Sequence, residues 1–163
     1  MKILNDLIDD FCRYYRYHNC HEVNYYYDHT SIKTDATRLN SEADIVCNQL
    51  IKNRWTVRRY YIGQQPRHDT RYHMWQAVLK ESDPKFKPIR FNRENSKNVL
   101  TSMQLAGVRQ GKEGFEKDKR SEANKLIPQE DATHLSDAMD TLYIGKFRNS
   151  YGYQPEVGGF ITS

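Results

Sequence analysis

The sequence predicts an α/β fold, and three observations predict it. A strand-like run from Glu22 to Asp28 is followed by a helical stripe opening at Ser41 and by a second strand-like run from Trp55 to Ile62, closed by Gly63. Strand, helix and strand in that order imply two parallel strands joined by a right-handed crossover. Apolar residues at helical spacing recur over 68–81, 93–106 and 132–146, as they do in helices laid against a sheet. Twelve tyrosines within a 12% aromatic content argue for a packed chain rather than a disordered one.

Taken in order, Asn5 is placed to cap a helix from Asp6 to Arg16, with Leu4, Leu7, Ile8, Phe11 and Tyr14 or Tyr15 on one stripe. His18 to His21 reads as a polar turn. Residues 22–28 carry strand formers on both faces, as a strand covered on both sides would. A polar loop over 29–40 leads to Ser41, which opens a helix whose stripe is Ala43, Val46, Cys47, Leu50 and Ile51. The helix over His68–Glu81 should turn Tyr72, Trp75, Val78 and Leu79 inward. Pro84 and Pro88 punctuate a loop before a short strand at Ile89–Phe91. A helix over Arg93–Ala106 should bury Val99, Met103 and Ala106. Gly107 to Glu122, with Gly111 and Gly114, reads as a charged hairpin or flap. The last helix, Ala132–Lys146, should dock through Leu135, Met139 and Leu142, with small Ala138 allowing a close approach to a sheet. One domain is expected over 1–148, followed by a glycine-rich tail or linker over 149–163.

At 163 residues the chain is long enough for one buried core. The net charge of +4 is a modest basic bias that nucleic acid would tolerate but that does not by itself select it. Cys12, Cys20 and Cys47 form no CxxC pair, and their odd count fits a reducing cytosol. No apolar signal segment or membrane-length run is present, so no membrane partner is expected.

Two acidic sites about a hundred residues apart carry the functional argument: Asp28 at the end of the first strand and Asp137 inside the last helix. Carboxylates so placed are how metal-dependent nucleases hold divalent ions. The carboxyl end of a parallel strand is also where open α/β folds put their sites. Asp28 can equally cap the loop that follows it. The acidic start of the last helix can equally complement the helix dipole, as Glu130 and Asp131 would; Asp137 lies deeper, in the second turn. His134, three residues before Asp137, shares its face, whereas Asp140 reads as a solvated helix residue.

These residues resemble a known family. Asp6 to Tyr15, the run ending Tyr25-Tyr26-Tyr27-Asp28-His29-Thr30, Tyr61 to Gly63, Phe115 to Glu122 and Ala132-Thr-His134-Leu-Ser-Asp137-Ala-Met-Asp140 are similar, in order and spacing, to the C-terminal nuclease domain of tailed-phage large terminase subunits. The resemblance runs from about residue 5 to about residue 146. It implies a ribonuclease-H-like mixed sheet flanked by helices, truncated at its N-terminus, that cuts double-stranded viral DNA during genome packaging. Of the family's three sources of metal carboxylates, Asp28 matches the second, a later strand, and Asp137 the third, a late helix. The first strand has no counterpart, so Met1 reads as an internal methionine or a late start. His134 matches a histidine that some members carry; it would ligate a metal, orient a water or protonate the leaving group. The implied cofactors are Mg²⁺ or Mn²⁺ in a two-metal site. The implied partners are double-stranded DNA, the terminase ATPase domain and portal protein, in the cytoplasm of the infected host cell. No ATPase phosphate-binding motif is present in the chain.

Two groups of cations could contact phosphates: Arg54, Arg58, Arg59, Arg67 and Arg71 around the second strand, and Lys112, Lys117, Lys119, Arg120 and Lys125 around the flap. The flap interleaves its cations with Glu113, Glu116, Asp118 and Glu122, so a solvated hairpin fits nearly as well. His18, Cys20 and His21 match no tetrahedral zinc spacing well. Beside the nuclease stand two alternatives: a catalytically inactive fragment that only binds DNA or portal protein, and the nuclease core of a resolvase or transposase.

Overall fold

A computed structural model describes residues 2–34, 39–111, 114–124, 126, 128 and 132–148, and within them the chain is α/β. The tail expected over 149–163 lies outside the described residues. The chain divides into two compact units, one ending at Gln65 and the other beginning at Pro66.

The first unit holds α1 (Lys2–Tyr14), β1 (Glu22–Tyr27), α2 (Glu42–Lys52) and β2 (Thr56–Tyr61). Helix α1 starts upstream of Asn5, which therefore lies inside the helix instead of capping it. The reason is tertiary: Leu4 packs on the cluster formed by Ile8, Cys12, Leu50 and Trp55, so burial rewards the earlier turn. The buried face follows the i, i+4 row Leu4, Ile8 and Cys12, while Leu7 and Tyr14 are exposed. Burial of side chains such as Ile8 and Leu50 stabilises by about 1.5–3 kcal/mol each.

Ser41 caps α2 as its position predicts, its Oγ accepting from the Asp44 N–H at 3.1 Å. The buried residues are Ala43, Ile45, Cys47, Gln49 and Leu50; Ile51 is exposed. Buried Gln49 is satisfied by donating to Asp9 Oδ1 at 2.6 Å. At the other end Trp55 N–H bonds Leu50 carbonyl at 3.0 Å, closing the helix over Arg54, whose φ is +66°. The chain then enters β2, which pairs with β1 in parallel from Glu22 opposite Thr56 to Tyr27 opposite Tyr61. Tyr26 stacks on Tyr60 with ring centres 4.9 Å apart. Burial pushes the Tyr25 hydroxyl up to about 12. Gly63, at φ +78°, turns the chain out of the strand, where a side chain would be strained.

The second unit holds α3 (His68–Lys80), α4 (Lys97–Leu105), an antiparallel hairpin of β3 (Val108–Gly111) and β4 (Gly114–Lys117), the short α5 (Arg120–Ala123) and α6 (His134–Phe147). Helix α4 packs on α6, and α3 lies along β4. The hairpin is where the glycines place it. The strand expected at Ile89–Phe91 does not form. Helix α4 begins later than Arg93 because Asn92 Oδ1 accepts from the N–H groups of Glu94 and Asn95, at 3.1 and 3.0 Å, holding a turn there instead. The buried residue of α4 is Ser102, whose Oγ donates to the Ala132 carbonyl. On α3 the inward residues are Arg71, Met74 and Val78, while Tyr72 and Leu79 are exposed. Helix α6 buries Ser136, Asp140, Tyr143 and Ile144; Leu135 and Met139 are half-buried, while Leu142 and Ala138 are exposed. The inward faces of the two helices carry a buried pair, Arg71 on α3 donating to Asp140 on α6.

Among the described residues β1 and β2 pair with each other, as do β3 and β4. None of the described helices is long and apolar enough to cross a membrane.

Candidate functional site

The i, i+3 spacing of Asp137 and Asp140 puts both carboxylates on one side of α6. Facing them from α3 are His68, Arg71 and Trp75, also spaced by helical turns, and from the end of β4 comes Lys117. Asp140 accepts from Arg71 Nη1 at 2.7 Å, from Lys117 Nζ at 3.1 Å and from the Trp75 indole N–H at 2.6 Å. Asp137 accepts from Lys117 Nζ at 2.7 Å on one oxygen and from Lys119 Nζ at 2.6 Å on the other. Lys117 spends its third proton on Ser136 Oγ at 3.1 Å. Lys119 is shared with Glu122 at 3.4 Å.

The network is graded from inside to outside. Side-chain exposure rises from 3% at Asp140 and 9% at Arg71 to 25% at Asp137 and 46% at Lys119. The interior end is closed, and Asp137 and Lys119 form the end that solvent can reach. Burial tends to raise the Asp137 pKa, but the hydrogen bonds from Lys117 and Lys119 outweigh it and hold the carboxyl below its ordinary value. Burial, with the nearby Arg71 and Lys117 charges, lowers the His68 pKa. Neutral His68 can then accept, and Arg71 Nη2 donates to its Nδ1 at 2.5 Å. A cavity of about 460 Å³ opens beside these groups, walled by Tyr72, Trp75, Leu79, Leu100, Met103 and Phe115, with Arg71, Lys117 and Asp140 also on its lining.

The sequence singles out Asp137, and it marks Arg71, Lys117 and Lys119 as cations for phosphate; the structure turns Lys117 and Lys119 onto Asp137 and Arg71 onto Asp140. Asp140, read as solvated, is 2% exposed and is the acceptor on which Arg71, Trp75 and Lys117 converge. Asp137 lies in the first turn of α6, since the helix begins at His134. A signal was available: Arg71 and Trp75 sit one turn apart on α3, where the apolar stripe is weak, and a helix turned inward on that face needs an acid opposite it.

Asp28 belongs to the first unit. Its Oδ1 accepts from the Thr30 N–H at 2.9 Å and hydroxyl at 2.6 Å, and its Oδ2 from Gln65 Nε2 at 2.8 Å. These are the contacts of a loop cap. His134 is exposed, its Nδ1 4.0 Å from Glu122 Oε1. No group of three or more His, Cys, Asp or Glu side chains able to hold a metal occurs among the described residues. His18 Nδ1 pairs with the Cys20 carbonyl at 2.8 Å and His21 Nε2 with the Arg16 carbonyl at 3.3 Å.

The basic residues are largely paired. Arg58 meets Glu22, Arg59 meets Asp44, Arg67 meets Asp69, Arg109 meets Glu116 and Arg120 meets Asp118. Lys112 and Lys125 lie outside the described residues. No family model matches this chain, and neither a curated protein nor a solved structure matches it.

Proposed function

We propose that this chain is part of a ribonuclease-H-like nuclease domain of the kind carried by tailed-phage large terminase subunits, and that in isolation it binds double-stranded DNA without cutting it. The order and spacing of the residues around Asp28 and Asp137 support the family reading. One observation carries the non-cleaving part of that reading: ammonium groups occupy both oxygens of Asp137. A dication there would have to displace Lys119 or Lys117 and would find no third carboxylate or imidazole among the described residues. The residues present do not make a cage for two ions. The ATPase domain and portal protein remain partners of this proposal, as the family reading implies.

A second reading, an active nuclease using Mg²⁺ or Mn²⁺ at Asp137 with His134 contributing, is favoured by the open end of the network. Asp137 is held ionised there, and Lys119, its partner at the open end, is 46% exposed. Such ions would supply an activated water and neutralise the leaving oxygen.

The two readings separate in one experiment. The chain is incubated with supercoiled plasmid and Mn²⁺, beside Asp137→Ala, and DNA binding is measured in parallel. Salt-sensitive binding without nicking supports the first reading. Nicking that Asp137→Ala abolishes replaces it with the second. Neither binding nor nicking removes both.

A further inference from the structure

The first unit carries a cluster of cations that the Asp137 network does not use. An open cavity of about 520 Å³ lies where the end of α1 meets the turn from α2 into β2. Arg13, Arg16 and Arg54 line it, together with His21, Asp9 and Asn53. Asp9 is the one carboxylate on the lining. It is turned toward α2, where its Oδ1 accepts from Gln49 at 2.6 Å and Asn53 at 2.7 Å. Arg13 pairs with Asp10 at 2.8 Å, but both side chains are mostly exposed, and a pair of that kind is weak in water. Arg16 lies over the Tyr17 ring, 4.5 Å from its centre, which steadies the guanidinium. Neither Arg16 nor Arg54 has an ion pair among the described residues.

Arg54 supplies an independent reason to regard the cluster as more than solvated charge. It occupies the left-handed position just past the end of α2, at φ +66°, where the Trp55-to-Leu50 and Arg54-to-Ile51 hydrogen bonds close the helix. Glycine is the favoured residue there because it has no Cβ to clash with the backbone, and arginine holds the position at a cost in stability. Arg54 therefore brings a long cation to the lining of a basic cavity from a position that favours glycine.

We propose that Arg13, Arg16 and Arg54 form a phosphate-binding site for the backbone of double-stranded DNA, separate from the Asp137 network; this rests on the DNA-binding reading above. Guanidinium groups match phosphate oxygens in paired hydrogen bonds, and a phosphate would compete readily with Asp10 for Arg13. The cavity is open, which suits a polymer backbone lying across it. Trp55, its one tryptophan, is buried and offers no face for a base to stack on. The site therefore takes backbone phosphates without base preference.

Arg54→Gly tests this without the ambiguity of an unfolded variant, because glycine relieves the backbone. Binding of a labelled duplex is followed by fluorescence anisotropy over a range of salt concentrations. The expected result is a higher melting temperature together with weaker binding, the slope of log K against log salt shrinking by about 0.9 for one lost phosphate contact. Glu81→Gly is the matched control. Glu81 also sits at positive φ, +52°, at the end of α3 in the other unit. That variant should be stabilised with the salt slope unchanged. An unchanged slope and affinity in Arg54→Gly, with the wild-type chain binding DNA, overturns the site and leaves the proposed function standing. A reduced slope in a chain that never nicks DNA supports the site whatever becomes of the nuclease reading. No DNA binding by the wild-type chain overturns both.

Discussion

The two units solve the same problem, a carboxylate held in place, by different physics. In the first, Asp28 is held by neutral donors: a backbone N–H, a hydroxyl and an amide. In the second, Asp137 and Asp140 are held by an arginine and two lysines, with the Trp75 indole as the one neutral donor at short range to Asp140. Neutral hydrogen bonds fix a loop at small net gain and little penalty when lost. Buried charges are different. Their net worth is modest, yet each depends on the others, because an uncompensated ion in a low-dielectric interior is costly. The first arrangement is a local clip; the second is a lock that ties α3, β4 and α6 together.

The two units should differ most at Asp140. Asp140→Ala leaves Arg71 and Lys117 with fewer counter-charges in the interior, and the expected loss is about 3–5 kcal/mol. That is enough to unfold a marginally stable unit. Urea denaturation followed by circular dichroism measures it; a loss no larger than that of an exposed aspartate would mean that Asp140 does not lock α3, β4 and α6 together.

A smaller effect comes from Trp75→Phe, which keeps the ring but removes the N–H that bonds Asp140 at 2.6 Å. A hydrogen bond to a charged group contributes about 1.5–3 kcal/mol, and the loss should fall in that range. The chain has two tryptophans, Trp55 in the first unit and Trp75 in the second. The Trp75→Phe chain therefore reports the first unit alone by fluorescence, and circular dichroism supplies the rest. If the described coupling is confined to the second unit, the Trp55 midpoint stays where the wild type has it. Asp28→Ala is the counterpart on the other side, expected to cost about 1 kcal/mol for its clip.

The parts of the fold that were legible in the sequence are those set by local chemistry. Ser41 before an apolar stripe gave the start of α2, Gly63 the end of the β2 segment, and Gly111 and Gly114 the hairpin, because caps and turns depend on residues within a few positions of one another. What was not legible depended on distant partners. Asn5 has the right residue type for a cap, but burial of Leu4 carried the helix past it. Tyr72 and Leu79 have the right residue types for a core, but Arg71 faces inward because Asp140, 69 positions away, accepts from it. The candidate site divides the same way. Asp137 stands out on its own helix, though in the first turn and not the second, whereas Asp140, Arg71 and Lys117 look like surface residues until the elements that carry them are brought together. Hydropathy assigns each of these side chains to water; only pairing makes their burial affordable.

The smallest expected effect is a pH dependence that only the charged lock should show. The His68 pKa is lowered, first by burial and then by Arg71 and Lys117. Above the ordinary histidine value of about 6.5, His68 is neutral in both folded and unfolded chains and contributes no pH dependence. As pH falls below that value the unfolded chain takes up a proton that the folded chain resists, so stability is lost until the lowered folded value is passed. Asp137 behaves as a second, more acidic stage. Its folded pKa is below the ordinary aspartate value of about 3.9, so its contribution is present above that value and disappears as pH falls through the folded one. Urea midpoints of the Trp55→Phe chain, which keeps Trp75 as its reporter, should therefore decline in two steps on acidification. His68→Gln removes a titrating group while leaving an amide able to accept from Arg71, and it should abolish the first step and leave the second. A first step that persists in His68→Gln would assign it to another group, and the neutral acceptor beneath Arg71 would lose its part in the lock.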